Sequence, residues 1–269
     1  MSTMTYAVKD STTMLRRNLR HMQRYPSLTL MLIGQPVLFL LLFVYVFGGT
    51  MGAGLPGGSV SSVGADARAD YLAYVSPAIL IITVASVALS TAIYVAKDAT
   101  EGIIDRFRTM PIAKASVLTG HVLAALVQTA VALVVVLAIA VLLGYRPDAT
   151  VADWSGTVVV LGLLALALTW LCVALGLAAD SVETASNSPM FLMLMPFVSS
   201  AFVPTESMPA GVAWFAEHQP FTPIIDTLRD LLAGRDPGAD LWWAIGWCVL
   251  ITALSYVWAR RLFSEVRAG

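Results

Sequence analysis

Six stretches of this chain, 28–47, 72–96, 117–143, 156–179, 184–203 and 241–259, contain no Asp, Glu, Lys or Arg, and each is about the length needed to cross a bilayer. A spanning helix needs about 20 apolar residues to traverse a hydrocarbon core of about 30 Å. Lipid offers no hydrogen bonds to an open backbone, so uncharged runs of that length have to close their hydrogen bonds internally, as helices. The chain has 58% hydrophobic and 12% charged residues, whereas soluble domains carry about 25% charged. The expected fold class is therefore all-α and integral to the membrane, a single domain over residues 1–269 with six transmembrane helices.

An even number of spans puts both termini on one side. That side collects Lys9, Arg16, Arg17, Arg20, Arg24, Lys97, Arg106, Arg108, Lys114, Arg260, Arg261 and Arg267, leaving Arg68, Arg146, Arg229 and Arg235 opposite. Basic residues accumulate in cytoplasmic loops, so a multi-pass protein of the cell (plasma) membrane with both termini cytoplasmic is expected. Cys172 and Cys248 both fall inside spans and read as small buried thiols rather than a disulfide framework. The first apolar run follows a long basic segment and is too long for the core of a cleavable signal.

Between the second and third spans lies a short charged segment, 99–111, holding Glu101, Asp105, Arg106 and Arg108. A helix begun at Thr100, whose hydroxyl can cap the first-turn amides, sets Ile103, Ile104, Phe107 and Met110 on one face and the charges on the other, and Pro111 ends it. Such an amphipathic helix on the cytoplasmic side reads as a handle by which another protein moves the membrane part. Residues 1–26 read as a second amphipathic element, with Val8, Leu15, Leu19 and Met22 at helical spacing between Arg16, Arg17, Arg20 and Arg24; it suits the headgroup layer, either as a basic anchor or as a further contact surface. The Gly- and Ser-rich 48–70 region reads as a flexible external loop.

The turns at 145–153 and 180–183 are short, the former external and the latter cytoplasmic. The fifth run opens with Asn187, Ser188 and Pro189, contains Pro196, Ser199 and Ser200, and stops at Pro204. Internal prolines free backbone carbonyls, so this span should face protein or a water-filled path; Asn187, Ser188, Ser199 and Ser200 are its candidate path residues. Residues 205–236 are too polar to span. Met208, Pro209, Trp214 and Phe215 lead to a helix capped by Thr222, with Pro223 at its first position, Ile224, Ile225, Leu228, Leu231 and Leu232 on one face, and Gly234 as the stop. A re-entrant external hairpin is expected there.

Several functions are excluded. Lys9, Lys97 and Lys114 are followed by Asp, Asp and Ala, so no Walker A motif exists and the chain is not itself a P-loop ATPase. Within the six runs the one titratable imidazole or charged side chain is His121, read as a lone packed or headgroup-facing residue, which leaves nothing for a proton- or sodium-driven transporter to run on. His21, His121 and His218 sit on different segments, and no catalytic dyad or metal site converges. The chain reads as a non-enzyme. A transporter without its own energy source has to take it from a partner that favours one of two conformations.

The segment EGIIDRFRTMPIAKASVL at 101–118 resembles the cytoplasmic coupling region of type-2 ABC exporter permeases, the transmembrane subunits exemplified by the daunorubicin/doxorubicin-resistance exporters. NSPMFLMLMPFVSSAFVP at 187–204, with Met208, Pro209, Trp214, Phe215, Pro220, Phe221, Thr222, Pro223 and Arg229 after it, resembles that family's second signature. The resemblance implies a dimer, with a second copy or a homologous permease, in which each subunit docks an ABC ATP-binding subunit. No cofactor is expected on this chain, ATP and Mg belong to the partner, and no nucleic acid is expected. It further implies ATPase coupling through Thr100, Glu101, Gly102, Asp105, Arg106, Phe107 and Arg108, a 1–26 interface helix, and an outer gate with Trp214, Phe215, Pro223, Leu228 and Arg229. The charge-free spans favour a hydrophobic or amphipathic drug or lipid-like cargo. The alternatives are a non-transporting scaffold that recruits a cytoplasmic partner, and a lipid or glycan exporter.

Overall fold

The computed structural model describes residues 26–48, 65–104 and 114–264, and every regular element among them is helical. The elements are α1 (Pro26–Leu42), continued by a wider π-type turn (Phe43–Phe47), α2 (Ala65–Thr100), α3 (Lys114–Leu142), α4 (Val151–Ala178), α5 (Val182–Asn187), α6 (Met190–Leu194), α7 (Ala210–His218), α8 (Phe221–Leu232) and α9 (Gly238–Ser264). Five helices among the described residues are long and apolar enough to cross a membrane: α1 with its π-type extension, α2, α3, α4 and α9.

α2 and α4 form the centre. α2 packs on α4 and α3, and α9 packs along α4. Small side chains let α2 approach closely: Ala78, Ala85, Ala88, Ala92 and Ala96 are buried, and a Cβ placed on Gly176 of α4 would stand 2.6 Å from the Ala92 carbonyl oxygen. Its buried hydroxyls return to the helix's own backbone, Ser76 to Leu72 O at 2.6 Å, Thr83 to Ile79 O at 2.7 Å and Ser86 to Ile82 O at 2.8 Å, so no partner outside the helix is required. α1 and α9 are peripheral and leave Leu30, Leu38, Trp242, Trp243 and Leu254 exposed.

Several sequence expectations change. α2 begins at Ala65, so 65–70 is helix rather than loop; at 36 residues, and a rise of about 1.5 Å each, the helix outreaches the hydrocarbon core. The 184–203 run is not one helix. α5 ends at Asn187, Pro189 precedes α6, Pro196 sits in a 3-10 turn (Met195–Val198), and residues 199–204 are non-helical; each proline removes an amide donor that a continuous helix needs. Thr100 does not cap a new helix: it is the last residue of α2 and its hydroxyl donates back to Lys97 O at 3.1 Å. The chain turns at Glu101 and Gly102, where Gly102 adopts φ of 69°, a left-handed conformation that suits a residue lacking Cβ. Ile103 and Ile104 are helical again. Thr222 is likewise inside α8 rather than its cap, buried, with its hydroxyl donated to Ala216 O of α7.

Candidate functional sites at the two ends of the bundle

Tyr74 and Asp98 lie 24 positions apart on the single helix α2, about 36 Å at 1.5 Å per residue, and each belongs to a polar cluster.

At the Tyr74 end, the non-helical stretch after Val198 exposes backbone carbonyls where no helix can satisfy them. The carbonyl of Ser200 accepts from the Tyr74 hydroxyl at 2.9 Å and from Arg229 Nη2 at 2.8 Å. The Ser200 hydroxyl donates to Asp226 Oδ1 at 2.8 Å, and the same carboxylate oxygen accepts from Arg229 Nη1. The Arg229 guanidinium also lies 4.0 Å from the Tyr74 ring centroid, a cation–π contact. Two residues earlier in the broken run, Val198 O accepts from Gln219 Nε2 at 2.6 Å. Side chains from α8 and the α7–α8 junction thus supply the donors that the broken segment lost. Burial pushes the Asp226 carboxyl above its ordinary range, while Arg229 and the Ser200 hydroxyl pull it back.

α8 reaches this position because its apolar face is complete. Phe221, Ile224, Ile225, Leu228 and Leu232 are buried in the same core as Tyr71, Val75 and Leu164. Gly234, at φ of 66°, ends α8 where a Cβ would meet Asp148 O at 2.8 Å. Of the expected outer-gate residues, Pro223 and Leu228 are buried and Arg229 is partly buried, whereas Trp214 and Phe215 are exposed on α7, Trp214 stacking on His218. The expected path residues do not converge. Ser199 and Ser200 sit at this end, but Asn187 and Ser188 follow Ala185, which packs on Ala96 and Ala179 at the other.

At the Asp98 end, the base of the charged segment is well packed. Ile104, 3% exposed, enters a cluster with Val95 of α2, Leu118 and Val122 of α3, Trp170 and Val173 of α4, and Ala259 and Phe263 of α9. His121 is not a lone residue: its Nε2 lies 3.2 Å from Asp98 Oδ2, and both side chains are buried. Lys97 and Glu101 make a longer, exposed i,i+4 pair at 3.9 Å, worth little by itself. Nearby, hydrogen bonds from its own backbone amide and the Ser181 hydroxyl hold the Glu183 carboxyl below its usual range. Thr100, Glu101 and Gly102 are placed at this turn. Asp105, Arg106, Phe107 and Arg108, and Arg16, Arg17, Arg20 and Arg24 of the expected 1–26 interface helix, lie outside the described residues.

Sequence reasoning missed Tyr74, Asp98, Gln219 and Asp226. Asp226 had a readable signal, since it precedes Arg229 by three on an amphipathic helix and so shares its face. Tyr74, Asp98 and Gln219 gave none, because their partners are remote in the chain. Among the described residues no group of three or more His, Cys, Asp or Glu side chains could hold a metal ion.

A profile of ABC-2 type transporters matches residues 10–233, which takes in the segment 99–111, the broken run and α8. The chain belongs to the ABC-2 type transporter family. It is also 27% identical over 248 residues to the daunorubicin resistance ABC transporter permease protein DrrB1 of Streptomyces coeruleorubidus, an alignment covering 92% of this chain and 82% of that one. As an ABC-2 permease the protein is a multi-pass transmembrane subunit of an ABC exporter and not a catalytic enzyme. ABC-2 permeases work with an ATP-binding subunit, which accounts for a transporter chain with no nucleotide motif of its own.

Proposed function

We propose that this permease exports a hydrophobic or amphipathic drug or lipid-like compound from the cell, driven by a separate ATPase that docks on residues 99–111. The observation that carries the cargo class is the 27% identity, over 92% of the chain, to a permease named for daunorubicin resistance. The charge-free spans agree with it, since an apolar cargo meets no buried charge along them. In this reading the broken 184–203 run is the fifth of six spans, both termini face the cytoplasm, and the 1–26 helix lies at the membrane surface as an interface element. A second copy or a homologous permease completes the dimer, ATP and Mg reside on the partner ATPases, and the 205–236 hairpin guards the outer exit. The four residues Glu101, Asp105, Arg106 and Arg108 form the coupling contact, backed by Thr100, Gly102 and Phe107.

The test is purification of the permease with its candidate ATPase in lipid nanodiscs, with ATP hydrolysis recorded against a panel of amphipathic drugs, lipids and glycans. Stimulation by drugs or lipids is expected. Stimulation by glycans alone overturns the cargo class, and failure to form a complex with the ATPase favours a scaffold over an exporter.

A further inference from the structure

The charged segment leaves α2 and returns into α3, and a directional polar contact joins the two helices at its base. Asp98, two residues before the end of α2, and His121, in the second turn of α3, approach to 3.2 Å between Oδ2 and Nε2. Both are buried, at 9% and 8% exposure. Val95, three residues before Asp98, and Leu118 and Val122, on either side of His121 in sequence, belong to the cluster that also receives Ile104 from the start of the charged segment. Apolar contacts between membrane helices act through dispersion, which is non-directional. A buried carboxylate–imidazole contact differs in kind, since it is directional and sliding one helix past the other would pull the two groups out of reach of each other in a low-dielectric setting.

We propose that Asp98 and His121 are positioning residues that lock the register of α2 and α3, so that a push on the segment between them moves both helices as one body. The idea rests on the reading of 99–111 as the ATPase contact. Without the lock, a docked ATPase would displace the loop and dissipate its stroke as slippage between the two helices.

The experiment uses the full permease with its ATPase in nanodiscs and reads the change in ATP hydrolysis that the permease imposes per co-purified ATPase. Three forms are compared: wild type, Asp98→Leu with His121→Leu, and the exchange Asp98→His with His121→Asp. Replacing both members of a buried polar pair by apolar side chains of similar size is commonly tolerated by the fold, so the double leucine form separates stability from register. It is expected to assemble but to lose the imposed change roughly five-fold or more, the low end of typical coupling energies, and the exchanged pair is expected to restore at least half. Wild-type behaviour in the double leucine form overturns the proposal alone. If that form does not assemble, an assembled exchange form that fails to restore the change does the same. A wild-type permease with no effect on hydrolysis overturns the coupling reading and the proposal with it.

Discussion

Arg229 shows how much one side chain can be asked to do in a membrane protein. It neutralises Asp226, donates to the bare carbonyl of Ser200 and covers the face of Tyr74. Arg229→Ala strips the partly buried carboxylate of its cation and the carbonyl of one of its two donors, and should cost about 1–3 kcal/mol, read as a lower thermal unfolding midpoint in detergent. Arg229→Lys should recover only part, because an ammonium cannot present two separate nitrogens in a fixed fork. Gly176 is critical for the opposite reason, that nothing else fits. With a Cβ 2.6 Å from Ala92 O and 3.1 Å from the Ala92 Cα, Gly176→Val has to push α4 away from α2, and the yield of folded permease in membranes should fall several-fold. An unchanged yield would mean that the crossing can be relaxed at little cost.

Among the elements, α8 and the broken run form one hydrogen-bonded unit. The Arg229 guanidinium of α8 and the Gln219 amide of the preceding junction donate to carbonyls of the segment before it, and the Asp226 carboxylate accepts from its Ser200 hydroxyl. Leu228, fully buried at the middle of α8, holds that helix against the core. Leu228→Pro removes a backbone hydrogen bond and bends the helix at a cost of about 3 kcal/mol or more, which should displace Asp226 and Arg229 together. On the outer-gate reading export falls while ATPase binding survives; normal export in transport vesicles would make the hairpin a passive plug. The amphipathic pattern of this helix was legible in sequence, from the spacing of Ile224, Ile225, Leu228, Leu231 and Leu232. Its start was not: Thr222 had the chemistry of a cap, but the preceding helix offered its hydroxyl a carbonyl and the cap position fell to Pro220.

For the whole molecule, the function is expected to depend on the two ends answering each other across α2, whose residues run from the Tyr74 contact to the Asp98 contact without interruption. Charge reversal at Arg106 and Arg108 should lower transport and the coupled hydrolysis while leaving expression and membrane insertion intact, as measured by cargo uptake into inverted vesicles beside immunodetection of the inserted chain. Unchanged transport would remove 99–111 from the coupling scheme. The sequence alone determined that this chain lies in a membrane, that it is helical, and that it carries no Walker A motif, because length without charge and the presence or absence of a motif are local properties that no packing can alter. The two proline positions of the fifth run were local as well, and they announced free carbonyls. What satisfied those carbonyls, and what His121 faced, depended on which residues a folded bundle brings within 3.2 Å after separations of 23 to 126 positions. Only the tertiary structure decided that, since hydrogen-bond partners remote in the chain are set by the packing of whole helices and leave no periodicity along it.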